Sequence, residues 1–173
     1  MVIGLIGLIT TVILYFTGRA LASSPNYSLG FFGQTSYDRV IGLKSLLATV
    51  ALALAAIQVG LALWMYGKLP LARAPRRVAI THRIIGVAAF LVTLPVGLHC
   101  AMAYGVQAGS PRVLIHSIAG CFLYGAFLAK VLLVHSRRLP GWALPVAGGT
   151  LAVLIAVLWY TSALWYYNGF SLP

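Results

Sequence analysis

Apolar residues run along this chain in five long stretches, and polar residues gather in the joints between them. The pattern predicts helices over about residues 2–17, 40–66, 78–105, 112–135 and 142–165. A helix crosses a bilayer with roughly 20 apolar residues at 1.5 Å of rise each. No water reaches backbone groups there, so the helix must satisfy its own N–H and C=O. The expected fold is an all-α integral membrane protein, a helical bundle of five transmembrane helices forming one domain over residues 1–173.

The joints set the expected orientation. Residues 18–37 are rich in Ser, Asn, Gly, Pro and aromatics, with Phe31 and Phe32 placed to dip into the interface. The joint at 68–77 carries Lys68, Arg73, Arg76 and Arg77 between Pro70 and Pro75, and the joint at 136–141 carries Arg137 and Arg138. The Gly-Ser-Pro joint at 106–111 carries no charge. Basic loops stay on the cytoplasmic side, which predicts the N-terminus inside and the C-terminus outside. The first stretch has neither a basic leader nor an Ala-x-Ala-like site before the next segment, so it is expected to be a retained span. Trp159, Tyr160, Trp165, Tyr166 and Tyr167 form an interfacial aromatic belt.

Composition narrows the function. Hydrophobic residues make up 61% of the chain and charged residues 8%, with twelve Lys and Arg against a single acid, Asp38. In a soluble protein a net charge of +11 would suggest nucleic acid. Here the bases sit beside the spans, so membrane lipid is the expected partner and nucleic acid is not. Cys100 and Cys121 lie inside apolar stretches and make no CxxC motif. One acid leaves no acid pair for proton-transfer catalysis, and the short loops leave no room for a flavin or nicotinamide domain.

The chemistry is carried by histidine. All four lie between residues 78 and 135: His82 and His99 near the two ends of the third helix, His116 and His135 near the two ends of the fourth. If these helices run antiparallel, His82 shares a level with His135 and His99 with His116. A histidine inside a span is costly without a partner, and neutral imidazole is an axial haem ligand. Two levels with two imidazoles each would hold two bis-histidine haems. The spacings of 17 and 19 residues set the levels roughly 26–28 Å apart. They also leave the two histidines of one helix about 100° out of phase, which Pro95 can alter by kinking the third helix.

Both helices open on His-x-Ile-x-Gly, His82 to Gly86 and His116 to Gly120. Each glycine falls one turn from its histidine on the same face, where a missing side chain lets a flat macrocycle approach. Arg83 on one level, and Arg112 and Lys44 on the other, are candidates to pair with haem propionates. Lys44 and Lys130 are embedded deeply enough to need a partner.

On these residues the segment 78–135 resembles the cytochrome b561 and ferric-reductase-like dihaem membrane cytochromes. The likeness rests on His82, Gly86, His99, His116, Gly120 and His135 and covers about a third of the chain. It departs from the b561 pattern in placing all four histidines on two helices. The resemblance implies two haem b groups, passage of electrons across a membrane, and a place beside partner redox subunits. The expected function is a dihaem subunit of a bacterial plasma membrane, carrying electrons between quinol or a cytoplasmic-side donor and an outer acceptor, with quinone as a possible further ligand. Two rivals stand beside it: a non-catalytic accessory subunit of a membrane complex, and a small quinone-binding or transport protein whose histidines relay protons.

Overall fold

The structure is a computed structural model that describes residues 2–136 and 139–172. Its helices are α1 (Val2–Leu21), α2 (Tyr37–Met65), α3 (Arg76–Ala103), α4 (Pro111–Val134) and α5 (Ala143–Trp159). α5 runs on through a π-helical turn at Tyr160–Leu164 into a last short turn at Trp165–Tyr167. With that extension counted, all five are long and apolar enough to cross a membrane. Among the described residues the only strand-like pairing is an isolated bridge between Phe31 and Gln34. The fold is thus an all-α bundle of five membrane-length helices. Arg137 and Arg138, which carry part of the charge asymmetry, lie outside the described residues.

Local chemistry moves several boundaries away from the apolar stretches. α1 continues to Leu21 because Gly18 O accepts from Ala22 N at 3.0 Å and from Val106 N at 2.8 Å. Arg19 Nη1 then donates to Val106 O at 3.1 Å, tying the end of α1 to the joint between α3 and α4. α3 starts at Arg76, directly after Pro75. α4 starts on Pro111, whose missing N–H costs nothing in the first turn, and Ser110 Oγ accepts from Val113 N at 3.3 Å as its cap.

The connections are short, so successive helices alternate in direction. The C-terminal ends of α1 and α3, the N-terminal ends of α2 and α4, and the π turn after α5 therefore lie at one end of the bundle. It is called here the loop-capped end, because residues 22–36 fold across it. There Asn26 N donates to Ala103 O at 2.8 Å and Phe31 is buried.

Packing follows a ring: α3 lies against α2, α2 against α5, and α5 against α4. α3 and α4 close the ring without the close backbone approach that the other neighbours make. Long side chains bridge them instead. α1 lies outside the ring on α4, where Gly7 and Gly125 meet backbone to backbone. Small residues permit such contact where lipid supplies no hydrophobic drive between helices. Leu5, Ile84, Leu91 and Val153 are exposed, as lipid-facing side chains should be. The α4–α5 seam is apolar, built on Ala119, Leu123, Leu151 and Leu154.

Candidate functional site

The wide side of the ring fixes the levels of the histidines. Phe90 of α3 stacks on Phe127 of α4 with centroids 3.7 Å apart and planes 7° from parallel. Beside them Tyr124 Oη donates to Thr93 O at 2.9 Å. Gly97 makes that bond possible, since a Cβ there would fall on the Tyr124 phenol. From this layer His82 and His135 each lie eight residues away in one direction, roughly 12 Å. His99 and His116 lie nine and eleven residues away in the other, roughly 14 and 17 Å. The antiparallel pairing of levels expected from the spacing is present.

At the loop-capped end one imidazole is buried, that of His99, and the other, that of His116, is half-buried. His99 is 4% exposed. Its Nε2 lies 3.0 Å from Leu29 O. A carbonyl only accepts, so Nε2 carries the proton and Nδ1 is bare. That Nδ1 is buried with no hydrogen-bond partner. Phe31 and Tyr104 stand edge-on to the ring, with centroids 5.0 and 5.9 Å away. His116 Nδ1 lies 2.9 Å from Thr161 Oγ1. The Thr161 hydroxyl donates to Val157 O at 2.7 Å, so its oxygen accepts from His116 and leaves Nε2 bare. A histidine that gives one N–H to an oxygen and keeps the other nitrogen free is in the state required of a ligand.

Lys44 shares the Phe31 and Tyr104 rings with His99. It is 8% exposed. Its Nζ is 3.5 Å from Tyr104 Oη and 3.7 Å from Cys100 Sγ, above the Tyr104 ring at 4.4 Å and the Phe31 ring at 5.8 Å. Tyr104 itself is held protonated: burial, and then Cys100, Tyr37 and Tyr27, raise its phenol above the ordinary value. A Lys inside a span is costly without a partner, and the Tyr104 and Phe31 rings offset part of that cost. The chain's single acid, Asp38, is exposed at the start of α2.

The opposite end is more open. His82 is half-buried, and its Nδ1 is buried without a partner. Lys130 of α4 reaches α5 at Gly148. His135 is exposed at the C-cap of α4, with Nδ1 2.8 Å from Val131 O of its own helix. Its Nε2 is bare like that of His116. His82 and His135 thus share a level, but as a pair they are more exposed than His99 and His116, and His135 is tied only to its own helix.

The neighbouring candidates divide. Gly86 faces α2, where Gln58 fills the space and its Nε2 donates to His82 O. Gly120 faces α5 and would meet only Leu158, at 3.9 Å. Both glycines sit in helix–helix contacts, away from the gap between α3 and α4. Arg83 is exposed. Arg112 turns to α5, where Nη1 donates to Thr161 O at 2.7 Å and the guanidinium lies 3.7 Å over the Trp165 ring. Among the described residues no three His, Cys, Asp or Glu side chains converge as metal ligands. Any site here draws on the imidazoles in twos.

The comparison with protein families decides the affiliation. The model of a family of unknown function, DUF6529, matches residues 1–173. The chain belongs to DUF6529. No curated protein matches it, and no solved structure does. In this DUF6529 chain the residues that sequence reasoning passed over are Tyr104, Tyr124, Gly97 and Thr161, while Phe31, expected at the interface, is buried against His99. Thr161 is the least visible of them in sequence. It acts through the π turn, and such turns recur at functional sites. Its hydroxyl orients His116 while its carbonyl holds Arg112.

Proposed function

We propose that this DUF6529 protein is a b-type dihaem electron-transfer subunit, with His99 and His116 holding one group and His82 and His135 the other. The observation that carries the reading is the paired state of His99 and His116: one level, one ring buried and one half-buried, each with one N–H tied to an oxygen and one nitrogen bare. The sparse backbone contact between α3 and α4 is where a planar group bridging two helices would enter.

The donor set fits haem. Leu29 O and Thr161 Oγ1 set the protonation of their imidazoles, the outer-sphere role that ligand orientation requires. Lys44 supplies a buried positive charge that a propionate would neutralise. Lys130 is placed to do the same beside His82. Bound there, haem supplies a reversible one-electron iron couple, while the protein supplies spacing and low dielectric. At the mid-level the Phe90–Phe127 stack and the Tyr124 bond to Thr93 separate the two polar layers. The Tyr124 proton is committed to a backbone oxygen, which disfavours the rival reading of a histidine proton relay. An electron needs no such chain of donors.

Partner redox subunits, a quinol or cytoplasmic-side donor, and an outer acceptor complete the proposal, with the loop-capped end facing outward in the plasma membrane. The test is a reduced-minus-oxidised absorption spectrum of the purified protein, with haem extracted and counted per chain. A b-type spectrum with two haems per polypeptide supports the reading. A colourless protein expressed with haem in supply contradicts it.

A further inference from the structure

Arg112 is the one charged group on a groove that the electron-transfer reading does not use. The groove, of about 650 Å³, runs along the lipid-facing side of the α4–α5 seam at the loop-capped end. Its walls include Ile115 from α4 and Val153, Ala156, Val157 and Tyr160 from α5, and Arg112 stands with Thr161 at one end. From Val153 to Thr161 is eight residues, so the walls extend roughly 12 Å along the helix. Ile115, Val153 and Tyr160 are exposed, and Leu172 borders the groove from the C-terminal segment.

The Arg112 side chain is held in place. Nη1 is spent on Thr161 O and the guanidinium rests on the Trp165 ring, which fixes the plane and leaves Nη2 and Nε with N–H groups to give. Thr161 O faces Arg112 from within the π turn. A pre-oriented guanidinium matches the paired oxygens of a phosphate better than a mobile ammonium does. A purely apolar trough leads away from it.

We propose that this groove binds one anionic phospholipid, with the phosphate on Arg112 and an acyl chain along Ile115, Val153 and Val157. Charge complementarity selects the occupant. The groove's lining holds one charged group, the Arg112 cation, and no acid beside it, which favours a negative headgroup. An isoprenoid quinone is the competing occupant. Its ring presents two carbonyls at opposite edges, whereas the one guanidinium of this groove stands at one end. The proposal is independent of haem.

The experiment uses the full chain purified in neutral detergent. It is exchanged into equimolar phosphatidylglycerol and phosphatidylcholine, and retained lipid is counted by native mass spectrometry. The expected result is one phosphatidylglycerol per chain, retained at least tenfold over phosphatidylcholine. Arg112→Gln should bring the two lipids level, and Arg112→Lys should recover only part of the preference. Ile115→Trp alters an exposed position and fills the trough, so it should reduce retention of both lipids in a protein whose helix content is unchanged. Equal retention of the two lipids by the unaltered chain would overturn the proposal. So would an Arg112→Gln protein that keeps the preference, or displacement of the lipid by an equimolar short-chain quinone.

Discussion

Phe90 and Phe127 lie face to face, 3.7 Å between centroids, and this contact holds α3 and α4 in register where their backbones stay apart. Truncating either ring should therefore loosen both histidine levels. Phe90→Ala and Phe127→Ala are each expected to cost about 3–5 kcal/mol, the usual range for a packed Phe. Together they should cost less than the sum, with a coupling of about 0.5–1.5 kcal/mol for an aromatic pair. Denaturant unfolding in mixed micelles measures all three variants. Strict additivity would mean that the stack does not bridge the helices.

Gly97 is expected to behave as a spacer for Tyr124. Gly97→Ala places a methyl group against the phenol and should destabilise the protein by about 1–3 kcal/mol, the range for overpacking. In a Tyr124→Ala background the same change should cost little, because the obstructed ring is gone. An equal cost in both backgrounds would show that the glycine is needed for another reason.

Thr161 is expected to set the protonation of His116. Thr161→Val keeps the volume but removes the oxygen that accepts the Nδ1 proton, leaving a half-buried donor unmatched at up to about 1–3 kcal/mol. Thr161→Ser should be close to neutral. Nitrogen-15 chemical shifts of the His116 ring report the tautomer directly. An unchanged tautomer in Thr161→Val would remove Thr161 from the site.

Orientation is testable without any cofactor. The joint at 106–111 carries no charge, and the one at 68–77 carries Lys68, Arg73, Arg76 and Arg77. A cysteine engineered at Ala108 should react from outside intact cells with an impermeant reagent, and one at Ala72 only after permeabilisation. The reverse pattern would invert the bundle and place the loop-capped end in the cytoplasm.

Much of this was legible in the sequence, for physical reasons. Period and length gave the five helices, because a bilayer leaves the backbone few alternatives. The histidine levels followed from antiparallel helices with a six-residue joint at 106–111, and the Phe90–Phe127 layer bears them out. The roles of Gly86 and Gly120 were not legible. Their spacing from His82 and His116 gives a helical face, but not which neighbour occupies it. Gln58 fills the first position and Leu158 lies near the second. Arg112 likewise faces α5 because the π turn offers it a carbonyl, and an irregular turn leaves no periodic trace in sequence. Lys44 could be recognised as a buried cation from its position. Its ring cage could not, since Phe31 comes from a joint whose path across the bundle is set by tertiary contacts.

The central claim is that the histidines act in pairs across α3 and α4, and the most direct measurement is the haem count in single and double variants. His99→Ala and His116→Ala should each remove the same single haem and the same spectral component, and the double variant should lose no more than either alone. His99→Ala combined with His82→Ala should leave none. The exposed position of His135 predicts that the haem it shares with His82 is the first lost on dilution into detergent. Two haems retained after both His99 and His116 are replaced would contradict the account. So would a single haem lost in common to His82→Ala and His99→Ala, whose rings stand about 26 Å apart along one helix.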